Sequence, residues 1–311
     1  MRRQYFIGID LGGTNFRLAI LDKRFRIITK ESWPTSNFNN KDSLLNAIEI
    51  NLFSLIRRTR LLPNQILGIG VGLPGPVDPK KGIIHFLPNI KGWRKVRLKD
   101  ILEKRLKMNV FIDNDVNLMS LGEYKLGAAR GATCAVCITL GTGVGGGIVI
   151  NGEILRGKSN VTGEIGHLPL NEDGPSCNCG GRACLEAYVG NKRLLNKAKR
   201  LFHHNITLEE VTDLANRGEK VAIEFWRDAG QKIGLALTAV VNLLNPDRIV
   251  IGGGVANAGK VLFDQIRRTI KERAMPTQAN DCKVVKALLG DNAGLIGAAI
   301  LVQRNLMRNE N

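Results

Sequence analysis

The sequence predicts an α/β protein built from two lobes, and two observations carry that expectation. A strand, a glycine turn and a second strand occur twice, over Tyr5–Leu21 around Gly12-Gly13-Thr14-Asn15 and over Thr133–Ile150 around Gly141-Thr142-Gly143-Val144-Gly145-Gly146. Helices and strands follow each hairpin, and 311 residues are long for one core but comfortable for two. No linker or low-complexity run separates the halves. The break is expected near Asp115–Ala128, with lobes at 1–117 plus 293–311 and at 118–292. The final segment is expected to return to the first lobe, because Gly294, Gly297, Ala298 and Ala299 suit close packing on a sheet.

The elements follow in order. Tyr5–Leu11, Phe16–Leu21 and Arg26–Trp33 are strand-like. A helix from Asp42 to Arg60 places Leu44, Leu45, Ile48, Leu52, Leu55 and Ile56 on one face, with Asp42 or Ser43 as its cap. Ile66–Val71 is a buried strand that ends in the turn Gly72-Leu73-Pro74-Gly75-Pro76-Val77-Asp78. A basic helix near Leu98–Lys107 leads to a short strand, Val110–Asp113, and a helix from Asn117 to Ala128. Beyond the second hairpin, helices are expected at Asn191–His203, Thr207–Arg217 and Val221–Leu244. The last stops before Pro246, which cannot continue it without strain. Arg248–Ile251 is a strand closed by Gly252-Gly253-Gly254, with a helix beyond. A strand at Lys283–Leu288 and a helix from Ala293 to Leu306 complete the chain.

Hydrophobic residues make up 44% and charged residues 23%, an ordinary globular balance. No apolar run approaches the ~20 residues needed to span a bilayer. The apolar stretch Tyr5–Ile9 is broken at once by Asp10, which fits a strand and not an export signal. A cytoplasmic location without a membrane partner is therefore expected. Lys and Arg outnumber Asp and Glu by 45 to 28, a formal charge of +17. The basic residues are scattered over helix-like segments and aromatics are only 5%, so solvated helix faces are expected and a specific nucleic-acid site is not. Cys134, Cys137 and Cys282 lie in apolar, strand-like surroundings, where thiols behave as small hydrophobes.

Several motifs carry chemistry. Asp10-Leu-Gly-Gly-Thr14 ends the first strand: its glycines let backbone N–H groups approach phosphate oxygens, and Thr14 adds a hydroxyl. Asp10 would face Mg²⁺ held by phosphates. A plain hairpin turn accounts for the same residues. Leu140–Gly147 is the equivalent turn of the second lobe, and the two would clamp a triphosphate from opposite sides of a cleft. Gly145-Gly146-Gly147 could instead be a bulge. Gly252-Gly253-Gly254-Val255, between a strand and a helix, suits adenosine or phosphate. In Asn114-Asp115-Val116-Asn117, Asp115 could accept a proton from a substrate hydroxyl, and Asn114 offers a donor and an acceptor to a sugar. On this segment alone, a helix cap at Asp115 is the stronger reading. His167, Cys177, Cys179 and Cys184 make a closed set of one imidazole and three thiolates, the composition of a structural Zn²⁺ site. Glu164 and Glu186 flank that loop.

Together, Asp10-Leu-Gly-Gly-Thr14, Gly72-Leu-Pro-Gly75, Leu87-Pro-Asn89 with Gly92-Trp93, Asn114-Asp115, Gly141-Thr-Gly-Val-Gly145, Gly163-Glu-Ile-Gly-His167 and the cysteine loop through Glu186 occur in the order of the ROK family. That family comprises repressors, open reading frames and sugar kinases, and over nearly its whole length the chain resembles its bacterial glucokinases. The resemblance implies an actin-like ATPase (ribonuclease H-like) fold, two lobes with a ligand cleft between them, and a homodimer. It implies ATP with Mg²⁺ and a structural Zn²⁺. It puts the catalytic base on Asp115 and sugar contacts on Asn89, Asn114, Asp115, Glu164, His167 and Glu186. Nucleotide contacts fall on Gly12, Gly13, Thr14, Thr142 and Gly143, beside Asp10, Gly253 and Gly254 from the turns above.

The activity so implied is phosphorylation of a free hexose by ATP, glucose first among the substrates. Kinases of N-acetylmannosamine or fructose and sugar-responsive regulators of the same family are the alternatives. The repressors add an N-terminal winged helix-turn-helix, which is not expected upstream of a first strand at Tyr5. Two departures stand out: Asn15, where many members have Lys, and Ala183, where Gly usually precedes the last Cys and takes left-handed geometry freely.

Overall fold

The computed structural model describes residues 4–87, 90 and 92–309. The chain divides into two compact units, Met1–Gly127 with Arg156–Thr162 and Asp291–Asn311, and Ala128–Leu155 with Gly163–Gly290.

The first unit opens with β1 (Tyr5–Leu11), β2 (Asn15–Asp22) and β3 (Ile27–Pro34), then crosses through helix α1 (Lys41–Arg58) to β4 (Ile66–Leu73). A small antiparallel sheet of β5 (Val77–Asp78), β6 (Ile83–Phe86) and β7 (Arg94–Val96) follows. Helix α2 (Leu98–Leu106) then leads to β8 (Val110–Asn114) and helix α3 (Asp115–Leu126). The main sheet runs β3-β2-β1-β4-β8, antiparallel across the first three strands and parallel across the rest.

Period-two alternation explains why β1 and β4 are buried on both faces. Ile7, Ile9, Leu11, Ile69, Val71 and Leu73 share a core with Leu44, Leu45, Ile48, Leu52 and Leu55 of α1. The alternate positions include Gly8 and Gly70, and there the C-terminal helix, Ala293–Asn309, lies backbone to backbone. A Cβ on Gly70 would land on the carbonyl oxygen of Ala298, and one on Gly297 would land on that of Leu118 in α3. The small residues of the last helix thus pack on the first unit's sheet and on α3 alike. Because α3 stays with that helix, the boundary lies at 127/128 where 117/118 was expected, and at 290/291 against 292/293. The excursion Arg156–Thr162 also belongs to this unit, which the sequence reading does not anticipate.

The second unit repeats the plan. Strands β9 (Cys134–Leu140), β10 (Val144–Ile150) and β11 (Glu153–Ile154) precede helices α4 (Leu185–Val189), α5 (Asn191–Phe202), α6 (Leu208–Asn216) and α7 (Lys220–Leu244). Then come β12 (Arg248–Gly252), α8 (Lys260–Arg273), α9 (Pro276–Asp281) and β13 (Lys283–Lys286). The order β11-β10-β9-β12-β13 reproduces the first sheet in sequence and in strand direction. Phe225, Ala229, Ile233, Ala236, Leu237 and Val241 of α7 pack with Leu262, Phe263 and Ile266 of α8, a stripe at helical spacing. Helix α7 is capped by Asn245, which lies directly before Pro246, is left-handed at φ 46° and donates its own N–H to the Val241 carbonyl.

Two local expectations are corrected. Strand β10 begins at Val144, so Gly145, Gly146 and Gly147 pair with Thr139, Ile138 and Cys137 and form no bulge. A Cβ on Gly146 would strike the carbonyl oxygen of Gly163, so the glycine serves close backbone approach. Beyond the Gly252–Gly254 turn the chain makes a 3₁₀ segment, Gly254–Ala258, and the α-helix starts only at Lys260. Among the described residues no helix is long and apolar enough to cross a membrane.

Candidate active site

In the first unit the candidate residues collect where β1, β4 and β8 end. Asn114 is the N-cap of α3: its Oδ1 accepts from the N–H groups of Val116 (2.9 Å) and Asn117 (3.2 Å). The helix therefore starts two residues before the expected Asn117, and Asn114 rather than Asp115 holds the N-cap position, although Asp115 Oδ1 also accepts from the Val116 N–H at 2.9 Å. The Nδ2 of Asn114 donates to the Gly75 carbonyl at 3.3 Å. Asp115 is half-buried at the first helical position, where the helix dipole favours an anion.

Gly72 lies between Asp115 and the end of β1. A Cβ placed there would be 3.5 Å from Cα of Asp115 and 3.5 Å from Oδ1 of Asp10. Asp10 is 8% exposed. Burial raises its pKa from 3.8 to about 6, against the opposing pull of Arg17, whose Nη1 lies 3.4 Å away. Gly294 of the C-terminal helix faces the same carboxylate so closely that a Cβ would come within 2.9 Å of its carbon. The turn after β1 is closed by the Gly12 N–H on the Asn15 carbonyl at 2.8 Å, and Gly13 and Thr14 stand exposed at its tip.

Two residues of this unit escape sequence reasoning. Asp113, 1% exposed, accepts from Arg156 through both oxygens, Nη2 to Oδ2 at 2.6 Å and Nη1 to Oδ1 at 3.1 Å. The pair spans 43 residues of chain, so no spacing announces it. Asn89, the remaining candidate sugar contact, lies outside the described residues.

In the second unit, His167, Cys177, Cys179 and Cys184 present ligand atoms that all lie within 4.8 Å of one another. Cys177 Sγ is 3.7 Å from Nδ1 of His167, and Cys179 Sγ is 3.7 Å from Cys184 Sγ. The other ring nitrogen, Nε2, lies 3.8 Å from Glu164, whose side chain is 56% exposed. Burial, with hydrogen bonds that its thiol donates to the neighbouring sulfurs, pushes Cys184 up to about 12, while a backbone hydrogen bond from Gly181 pulls Cys179 down. Thiols this close ionise together only around a cation, and one imidazole with three sulfurs is a donor set that suits zinc. Ala183 holds the left-handed geometry of the usual glycine, at φ 55°.

The cysteine loop and the second glycine turn meet at Glu186. Its Oε2 accepts from the Val144 N–H at 2.9 Å, and its Oε1 is 4.0 Å from Cys177 Sγ. Thr142 is exposed in the turn closed by the Gly141 N–H on the Gly143 carbonyl. Gly253, at φ 85°, lies against the Leu140 backbone, and Gly254 lies near Asn191, whose N–H donates to the Gly141 carbonyl. Thr142, Gly143, Gly253 and Gly254 thus share one end of the second sheet. The buried Oδ1 of Asn191, without a partner among the described residues, is there too. Asn191 was not a candidate in the sequence, where it reads as an ordinary helix start.

The ROK family profile matches residues 6–305. The glucokinase of Halalkalibacterium halodurans is 36% identical over 100% of this chain and 99% of its own length. The N-acetylglucosamine repressor of Escherichia coli O157:H7 is 31% identical over 98% of this chain and 77% of its own. Among solved structures, a ROK family glucokinase from Streptomyces griseus in complex with glucose and AMPPNP is 30% identical, with a TM-score of 0.83 over 96% of this chain and 99% of that one.

Proposed function

The chain belongs to the ROK family, and from that premise we propose that it is an ATP-dependent kinase that converts glucose to glucose 6-phosphate. The observation that carries this is the junction of β8 and α3. Asn114 supplies the cap that reaches both Val116 and Asn117, and the half-buried carboxylate of Asp115, which itself accepts from the Val116 N–H at 2.9 Å, stands beside Gly72 with Asp10 on the far side of that glycine. Likeness to glucokinases over nearly full length supports the same substrate.

Phosphoryl transfer asks the protein mainly for positioning and charge stabilisation. Asp115 holds the O6 hydroxyl of the sugar and takes its proton as the bond from O6 to the γ-phosphorus forms. The bond from that phosphorus to the β,γ-bridging oxygen breaks, and ADP leaves. Asn89, Asn114, Glu164, His167 and Glu186 orient the hexose. Gly12, Gly13 and Thr14 of the first unit and Thr142, Gly143, Gly253 and Gly254 of the second bind the nucleotide through backbone N–H and hydroxyl donors. Mg²⁺ bound with ATP would neutralise phosphate charge, and the desolvated carboxylate of Asp10 fits such an ion. Zinc on His167, Cys177, Cys179 and Cys184 would be structural, since four protein ligands leave no open position. The enzyme is expected to be a homodimer, which light scattering checks.

Asp115→Asn tests the assignment. It keeps the size of the side chain and loses the proton acceptor, so kcat should fall ~10²–10⁴-fold with little change in the melting temperature or in ATP affinity. A variant within tenfold of wild type would take the base away from Asp115. A hexose panel tests the substrate: N-acetylmannosamine outranking glucose in kcat/KM would reassign it.

A further inference from the structure

We propose that Arg156 is a positioning residue for the transfer step, acting through Asp113 on the orientation of Asp115, a role that presupposes the kinase reading of Asp115.

Four donors converge on the Asp113 carboxylate. Two come from the Arg156 guanidinium at 2.6 and 3.1 Å; the Asn114 N–H adds a third at 2.8 Å and Asn117 Nδ2 a fourth at 3.1 Å. The last two come from the residue before Asp115 and from the residue two beyond it. Asn114 in turn accepts from the N–H groups of Val116 and Asn117. The backbone of Asp115 is therefore bracketed on both sides by groups anchored to one buried anion. A forked guanidinium sets the plane of that anion as well as neutralising it.

Helix capping does not call for this arrangement, because Asn114 already performs it. Stability is a weak reason too, since burying a carboxylate against Arg recovers little beyond its desolvation cost. The arginine also comes from an unusual place. The chain leaves the second unit at Leu155, contributes Arg156–Thr162 to the first, and returns at Gly163, immediately before Glu164. Within the excursion, Gly157 adopts φ 64° and the Thr162 N–H points back to the Arg156 carbonyl at 3.4 Å. A seven-residue excursion that places one guanidinium on one carboxylate fits a geometric task, holding the N-terminus of α3 in register. Misplacing a reacting group by ~1 Å can cost ~10²-fold in rate.

The test is a coupling experiment on the full-length protein. Arg156→Met, Arg156→Lys and the charge-neutral pair Asp113→Asn with Arg156→Gln are made in the wild type and in an Asp115→Asn background. Steady-state kinetics and melting temperature are measured for each. Arg156→Met should lower kcat roughly 10- to 100-fold with KM for ATP within about twofold, and Arg156→Lys should recover part of the loss. In the Asp115→Asn background the further loss should shrink to less than about twofold, because the group being oriented is already gone. Equal losses in both backgrounds would overturn the proposal and leave the kinase reading standing. So would a fall in melting temperature with kcat retained. If Arg156→Met does not fold, the neutral pair decides, since it leaves no unpaired charge: wild-type kcat in that variant overturns the proposal, and a loss that vanishes beside Asp115→Asn supports it. An Asp115→Asn enzyme that keeps its kcat overturns both ideas and is seen before any Arg156 variant is made.

Discussion

Asp10 is the residue at which folding and function pull apart. Its carboxylate closes β1 under the C-terminal helix, where burial raises the pKa to about 6 although Arg17 lies beside it. The folded protein therefore holds a proton that the unfolded chain has already released above 3.8. The stabilisation is complete below pH 3.8 and is lost as the pH rises through about 6. At ~1.4 kcal/mol per unit, the ionised group costs on the order of 3 kcal/mol without a bound cation. Asp10→Asn should then raise the melting temperature near pH ~8 and flatten its fall between pH ~4 and ~6. Arg17 keeps Asp291 as a partner at 3.3 Å. The same variant should lose most of its activity if the carboxylate meets Mg·ATP. A melting temperature that drops near pH ~8 would show that the charge is a structural asset instead. The sequence makes the location of Asp10 legible through the run of apolar residues before it. Its protonation is not legible, because that depends on Gly294, which arrives from the other end of the chain.

At the scale of elements, the cysteine loop is the plainest signal in the sequence and the helix boundaries are the weakest. Cys177-Asn-Cys179 and Cys184 announce themselves by spacing, and His167 joins them because the 3₁₀ turn Ile165–His167 brings Nδ1 to Cys177. Glu186, at the second position of α4, ties that loop to the glycine turn through the Val144 N–H. Cys179→Ala should therefore lose zinc and weaken glucose binding together, since His167 and Glu186 both hang on the loop. Elemental analysis should find one zinc per wild-type chain and none in the variant. Full activity in protein free of zinc would rule out the structural role. Helix α3 starts two residues earlier than its sequence suggests: Asn114 and Asp115 are both good caps and both accept from the Val116 N–H, and only the further bond from the Asn117 N–H to Asn114 Oδ1 separates them. Strand β10 starts three residues earlier than the sequence suggests, because glycine reads as turn chemistry whereas here it lets Gly163 approach.

At the scale of the whole molecule, the charge of +17 is spread over helix surfaces in both units, and many of its members pair with acids. Screening beyond ~8 Å at ~0.15 M salt should leave no sequence-specific affinity for duplex DNA. A retained, sequence-dependent shift in a binding assay at that salt would contradict this. The sequence by itself determined the repeated hairpin, the two cores, the set of one histidine and three cysteines and the order of the motifs. Each of these is written in local period, local glycine chemistry or short spacing. Only the tertiary structure decided where the first unit ends, that Gly70 and Gly297 seat the last helix, and that Arg156 reaches Asp113. Those are contacts between residues far apart in the chain. Their geometry is set by how sheets and helices pack against one another, and no local pattern records it.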